Sequence, residues 1–141
     1  MPGIDEIFAE TLFVGATRGM KRDEDRLWMI AEHLDSDEEA LAFLSLKTSN
    51  LLLTPRRVLE LKPHLDVVGM WNVLRFEGYE VTAEVGLNQI QNVEVEEAAR
   101  GGGKLRLVAD GEEQTWLVPP SSSEDPTGNA QTFANRLREA L

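Results

Sequence analysis

The stretch Leu51-Leu52-Leu53-Thr54-Pro55-Arg56-Arg57-Val58-Leu59-Glu60-Leu61 decides the fold. Two apolar runs flank a polar corner, and Pro55 pre-sets the backbone angle that such a corner needs. Leu51 to Thr54 and Arg57 to Leu61 therefore read as the two strands of a hairpin. Upstream, Leu41, Phe43, Leu44 and Leu46 place apolar side chains on both faces of a run ending at Lys47, the pattern of a strand buried on most of its surface. Downstream, Lys62-Pro63-His64 reads as a break, and Val67 to Phe76 is apolar without a period, so it fixes no element.

The strand texture resumes after Glu77-Gly78. Tyr79, Val81, Ala83, Val85 and Leu87 alternate with Glu80, Thr82 and Glu84, which predicts one strand with a single apolar face. Val93 and Val95 alternate with Glu94 and Glu96 in the same way. Asp110-Gly111, between Lys104–Ala109 and Gln114–Val118, is among the strongest short hairpin signals. Ala130, Phe133, Ala134, Leu137 and Leu141, spaced by three and four, predict a closing helix that buries one face. At the other end, Ile4, Ile7, Phe8 and Leu12 have helical spacing. Asp23-Glu24-Asp25 starts a second helix carrying Leu27, Ile30, Ala31 and Leu34 on one side. A first helix that short must dock on the rest of the chain or on a neighbouring subunit. The order is helices, six or seven short antiparallel strands, then a helix: a β-rich α+β arrangement.

That order, with Glu38-Glu39-Ala40-Leu41, the Leu51 to Val58 strand pair, Leu87 to Val95 and Gly103-Lys104-Leu105-Arg106-Leu107, resembles the bacterial pleckstrin-homology-like (PH-like) domains over residues 37–141. The resemblance implies a bent antiparallel barrel or sandwich of seven strands, capped by the C-terminal helix. Residues 1–36 form a helical extension outside the pattern, and residues 63–78 are longer than the family's connection. It implies a non-catalytic binding or self-assembly module and carries over no catalytic residue.

Composition narrows the function classes. The chain has 141 residues, enough for one domain with its own core, and no cysteine, so disulfides and thiolate chemistry are absent. Its formal net charge is −11, with more acidic than basic residues on both sides of residue 50. Nucleic acid and anionic membrane surfaces attract through Lys and Arg, so neither is the expected partner. With neither a basic, apolar leader nor a run of about 18 apolar residues, the chain is expected in the cytoplasm.

Gly101-Gly102-Gly103-Lys104 lacks the earlier glycine and the Ser or Thr of a phosphate loop. Asp35-Ser36-Asp37-Glu38-Glu39 has Ala40 in place of a calcium loop's turning glycine. His33 and His64 each have an Asp two residues on, yet lack a third zinc ligand and read as solvent-facing or loop histidines. Ser121-Ser122-Ser123 is proline-flanked turn material. The expectation is an enzyme-free fold with no cofactor and no metal. Two surfaces remain as candidates. Arg56, Arg57, Arg100, Lys104 and Arg106 are the residues that could converge into an anion or headgroup patch. Ile4, Ile7, Phe8 and Trp71 are the candidates for contact with a protein partner or with a second copy. A lipid headgroup or small hydrophobic ligand is the alternative occupant.

Overall fold

The computed structural model describes residues 3–15, 23–68, 73–99, 101–120 and 126–141, with side chains outside 65–77. Its elements run α1 (Ile4–Ile7), β1 (Leu12–Val14), α2 (Glu24–Ala31), β2 (Ala42–Ser45), β3 (Asn50–Leu53), β4 (Arg57–Val68), β5 (Val73–Gly86), β6 (Ile90–Glu97), β7 (Gly103–Ala109), β8 (Glu112–Val118) and α3 (Gly128–Ala140). They form a five-stranded sheet in the order β1-β2-β3-β4-β5 and a three-stranded sheet in the order β6-β7-β8. The architecture is β-rich with a terminal helix, as expected, but the sheets do not close into a barrel.

The larger sheet is the middle layer. Alternation along β2 and β3 sends Phe43 and Leu52 to one face and Ala42, Leu44, Leu51 and Leu53 to the other, which explains why these strands read as apolar on both sides. On the first face Phe43, Leu52, Leu59, Leu61 and Tyr79 meet Ile7 and Phe8 of the N-terminal turn and Leu27 and Ile30 of α2. Phe8, Phe13, Phe43 and Tyr79 follow one another there with ring centroids 6.4–6.5 Å apart. On the second face lie Val93, Leu105, Leu107, Trp116 and Val118 of the smaller sheet. α3 lies against β6 and β7 of one sheet and β1 and β2 of the other. Its stripe Ala130, Phe133, Ala134 and Leu137 is completely buried, as the spacing predicts, while Leu141 is exposed.

Several expectations are corrected. The Ile4 to Leu12 periodicity is not one helix: α1 is a single turn, and Leu12–Val14 is a strand running parallel to β2. This pairing crosses the 36/37 division drawn from the sequence. Lys62-Pro63-His64 does not end β4. The β3 pairing ends at Leu61, and beyond it no described strand flanks β4 on that side, where a missing N–H costs no ladder bond. The alternation from Tyr79 to Leu87 does not lie on one face. Glu60 pairs with Ala83 and Leu61 with Val81, leaving Thr82 as an extra residue in a bulge. The bulge switches faces, so Tyr79 packs with the helices while Ala83 and Val85 pack toward the smaller sheet.

Two glycines hold the β6–β7 connection tightly. A Cβ on Gly102, at φ +79°, would overlap the Val118 carbonyl oxygen and crowd Pro120 N at 3.0 Å; one on Gly103 would meet Ala130 Cβ at 2.7 Å.

Candidate functional site

The residues that sequence reading gathered into one basic patch lie in different places with different neighbours. Arg56 and Arg57 sit at the β3–β4 corner. There Thr54 Oγ1 accepts from the backbone N–H of Arg56 and Arg57, each at 3.1 Å, which shapes the turn. The corner is locked to the α2–β2 connection by Glu38, whose side chain is fully buried. Glu38 Oε1 accepts from Asp35 N at 3.0 Å and Arg57 Nη2 at 2.8 Å; its Oε2 accepts from Thr54 Oγ1 at 2.6 Å and Arg57 Nε at 3.0 Å. Burial pushes the Glu38 carboxyl up, but the donors from Arg57, Thr54 and Asp35 outweigh it and hold it below the usual carboxylate range. Hydrogen bonding to Glu38 raises Arg57 in turn, with Glu84 as a further partner. Arg57 Nη2 also donates to the His33 carbonyl at 3.0 Å, and Arg56 pairs with Asp35 and Asp37. These guanidiniums are occupied by the chain's own carboxylates, and the cluster acts as a clamp between two turns.

Lys104 and Arg106 project from the outer face of β7, on the other sheet; Arg100 lies outside the described residues. Arg106 is surrounded by three carboxylates. Nη1 is 2.7 Å from Glu96 and 3.3 Å from Glu94, and Nε is 2.7 Å from Glu113 Oε1, too bent for a hydrogen bond. One guanidinium among three carboxylates leaves the middle of this face negative. Lys104 has no carboxylate within ion-pair distance among the described residues. With Lys47 of the β2–β3 turn it borders a groove of about 840 Å³, walled by Glu97, Ala98, Ala99 and Gly101 on one side and Leu117, Val118, Pro119 and Pro120 on the other.

Beside this groove runs β8, the last strand of its sheet. Asp110 and Gly111 both have positive φ, 51° and 80°, the geometry of a two-residue type I′ hairpin. In such a hairpin the flanking pair, Ala109 and Glu112, exchanges both hydrogen bonds, and with an unbroken register Gln114, Trp116 and Val118 also bond to β7. The N–H and C=O groups of Glu113, Thr115 and Leu117 then point away from β7, to the open edge. Their side chains share the outer face, where Leu117 is 64% exposed, the highest value among the large apolar residues described.

A second, smaller groove of about 310 Å³ is lined by Ile7, Trp28, Ala31, Glu32, Leu34, Asp35 and Ser36, with Trp28 half exposed. Of the proposed contact residues, Ile7 and Phe8 are buried in the chain's own core, Ile4 is partly buried against it, and Trp71 lies outside the described residues. Of the two docking options for the first helix, the structure places it on its own sheet. His33 is held by the Tyr79 carbonyl at 2.8 Å rather than facing solvent alone. No group of three or more His, Asp or Glu among the described residues is arranged to hold a metal ion, and no described helix is long and apolar enough to cross a membrane. No family model and no curated protein matches the chain.

Leu117 and Lys47 escaped the sequence reading. Leu117 did carry a signal: in β8 it falls on the parity of Glu113 and Thr115, an apolar residue on a polar face. Lys47 carried none, because only the packing of the two sheets brings a β2–β3 turn beside β7 and β8.

Proposed function

We propose that this chain is a non-catalytic interaction module of PH-like type, which binds a protein partner or a second copy of itself through the open edge of β8. The observation that carries this reading is Leu117, 64% exposed on an edge strand whose outward backbone groups have no strand beside them among the described residues. Edge strands are ordinarily shortened, covered or charged along their length. This one keeps an apolar residue in the open next to a groove. The PH-like assignment is supported by four antiparallel strands followed by three, with a buried C-terminal helix between the sheets. The absence of catalysis is supported by the use of Glu38, Arg57, Arg56 and Arg106 in pairing one another and their neighbours.

A photo-crosslinking residue placed at Leu117, with exposed Thr132 on α3 as control, tests the reading in the cell that makes the protein. Adducts of one defined protein or of the chain itself from position 117, with none from 132, are expected. Equal yields from both positions, or no adduct from 117 with a purified chain that stays monomeric at high concentration, overturns it.

The alternative of an anionic headgroup or small apolar anion is favoured by one observation, the two lysines at the apolar 840 Å³ groove. Vesicles of phosphatidylglycerol test it: binding abolished by K47E/K104E supports this alternative, and no binding removes it.

A further inference from the structure

We infer that the occupant of the β8 edge is a second copy of this chain, paired antiparallel about Thr115 so that the acidic β7–β8 turn of each copy enters the lysine-bordered groove of the other. The inference rests on the reading that the chain is an interaction module and names its partner.

The backbone sets the possible registers. Only Glu113, Thr115 and Leu117 offer outward hydrogen-bonding groups, so an added antiparallel strand pairs through these positions. Two identical seven-residue strands overlap completely only when Thr115 faces Thr115. Glu112 then faces Val118, and Glu113 faces Leu117. No carboxylate opposes another in that register. Sliding the centre to Glu113 would place two Glu113 side chains face to face, which is destabilising.

Charge selects the same arrangement. Beyond Val118, the register brings Pro119 and Pro120 beside Gly111 and Asp110 of the copy. Those prolines wall the groove that Lys47 and Lys104 border; Glu97 is the one carboxylate in its described lining, and neither lysine has a carboxylate within ion-pair distance among the described residues. The copy's turn brings Asp110, Glu112 and Glu113, of which Asp110 and Glu112 have no ion pair among the described residues, while Glu113 lies beside Arg106. Cations with no carboxylate partner among the described residues of one copy thus meet the acidic turn of the other, twice over by symmetry. Leu117 becomes covered by the neighbouring strand, and two three-stranded sheets join into one of six. The net charge of −11 on each chain opposes association at long range, so the pairing is a concentration-dependent one.

Sedimentation of the full chain up to about 1 mM tests the inference, together with short-range crosslinking. The wild type is expected to move from 15.7 kDa toward twice that mass. T115P removes the central outward N–H at a position where β7 needs none, so it is expected to stay folded by circular dichroism and remain monomeric. K47E/K104E is expected to weaken self-association by about tenfold or more. Mixing it with E112K should recover part of the association as a heterodimer, because each altered groove then faces a turn whose charge has fallen from −3 to −1 and each natural groove still faces the full acidic turn. The chain has no native cysteine, so T115C and L117C report register through a short bis-maleimide. T115C should link to itself, and L117C, whose two copies lie four residues apart across the pair, should not.

A monomer at every concentration overturns the inference, as does a dimer indifferent to T115P or one in which T115C and L117C link equally. If the chain is monomeric but position 117 still crosslinks a different protein in cells, self-pairing falls while the interaction module stands. If that crosslink is also missing, both fall.

Discussion

Glu38→Gln is nearly isosteric, yet it should weaken the clamp between the α2–β2 connection and the β3–β4 corner substantially. Both Glu38 oxygens accept two donors, and the side chain is fully buried. A glutamine must turn its NH2 toward one of those pairs. Facing Asp35 N and Arg57 Nη2, it meets two groups that can only donate. Facing Thr54 and Arg57 Nε, it still meets Nε; the Thr54 hydroxyl can turn its proton to the Arg57 carbonyl, 3.3 Å away, but its oxygen already accepts from Arg56 N and Arg57 N. The better orientation therefore loses one charge-assisted hydrogen bond and the ion pair, a cost of about 2–3 kcal/mol. For an m-value near 2 kcal/mol/M, the urea midpoint falls by about 1–1.5 M. The pH dependence has a definite sign. Because the folded Glu38 lies below its unfolded value of about 4.3, its stabilisation is fully present above that value and is lost as pH falls through the folded pKa. The gap between wild type and E38Q, measured by urea titration with tryptophan fluorescence, should be full at pH 7 and narrow below about pH 4. Equal midpoints at pH 7, or a gap unchanged down to pH 3, would refute the reasoning.

The adjacent arginines should behave differently despite their identical chemistry. R57A leaves Glu38 buried without its cation and should cost about 3–5 kcal/mol. R56A, half exposed, should cost less than about 1 kcal/mol in the same titration. E38M/R57M should be less destabilised than the sum of its single changes, since no charge is left buried alone, and a double-mutant cycle reads this directly. F133A empties a fully buried site between the two sheets and should cost about 3–5 kcal/mol of unfolding free energy. G102A should lower thermal stability, whereas the same change at Gly101, where an added Cβ meets no atom within 4 Å, should lower it less.

The features legible in the sequence are those set by neighbours a few residues apart. The Asp110-Gly111 turn, the buried stripe of α3 and the two-faced apolar strands β2 and β3 all follow from local spacing, and each is present. Where one inserted residue or a distant strand decides, local spacing misleads. Thr82 is an ordinary strand residue until β4 fails to pair with it, and that mispairing splits an unbroken alternation between two cores. Pro63 reads as a break because nothing nearby says that β3 begins only at Asn50, opposite Leu61. Leu12 completes a helical spacing, but its backbone bonds to β2, about thirty residues on. The basic patch fails to assemble for a related reason. Among 25 acidic residues, spacing does not tell which will reach a given arginine, and Arg57 and Arg106 each draw carboxylates from separate elements. The edge of β8 was half legible, through Leu117 on a polar parity, and its groove was not.

Amide hydrogen exchange along β8, read residue by residue at low and high protein concentration, measures most directly whether the edge is open and what fills it. At low concentration Gln114 and Trp116 should exchange slowly and Thr115 fast; at high concentration Thr115 should become slow as well. Thr115 slow at both concentrations would mean the edge is already covered, and Thr115 fast at both would mean that no second copy pairs with it.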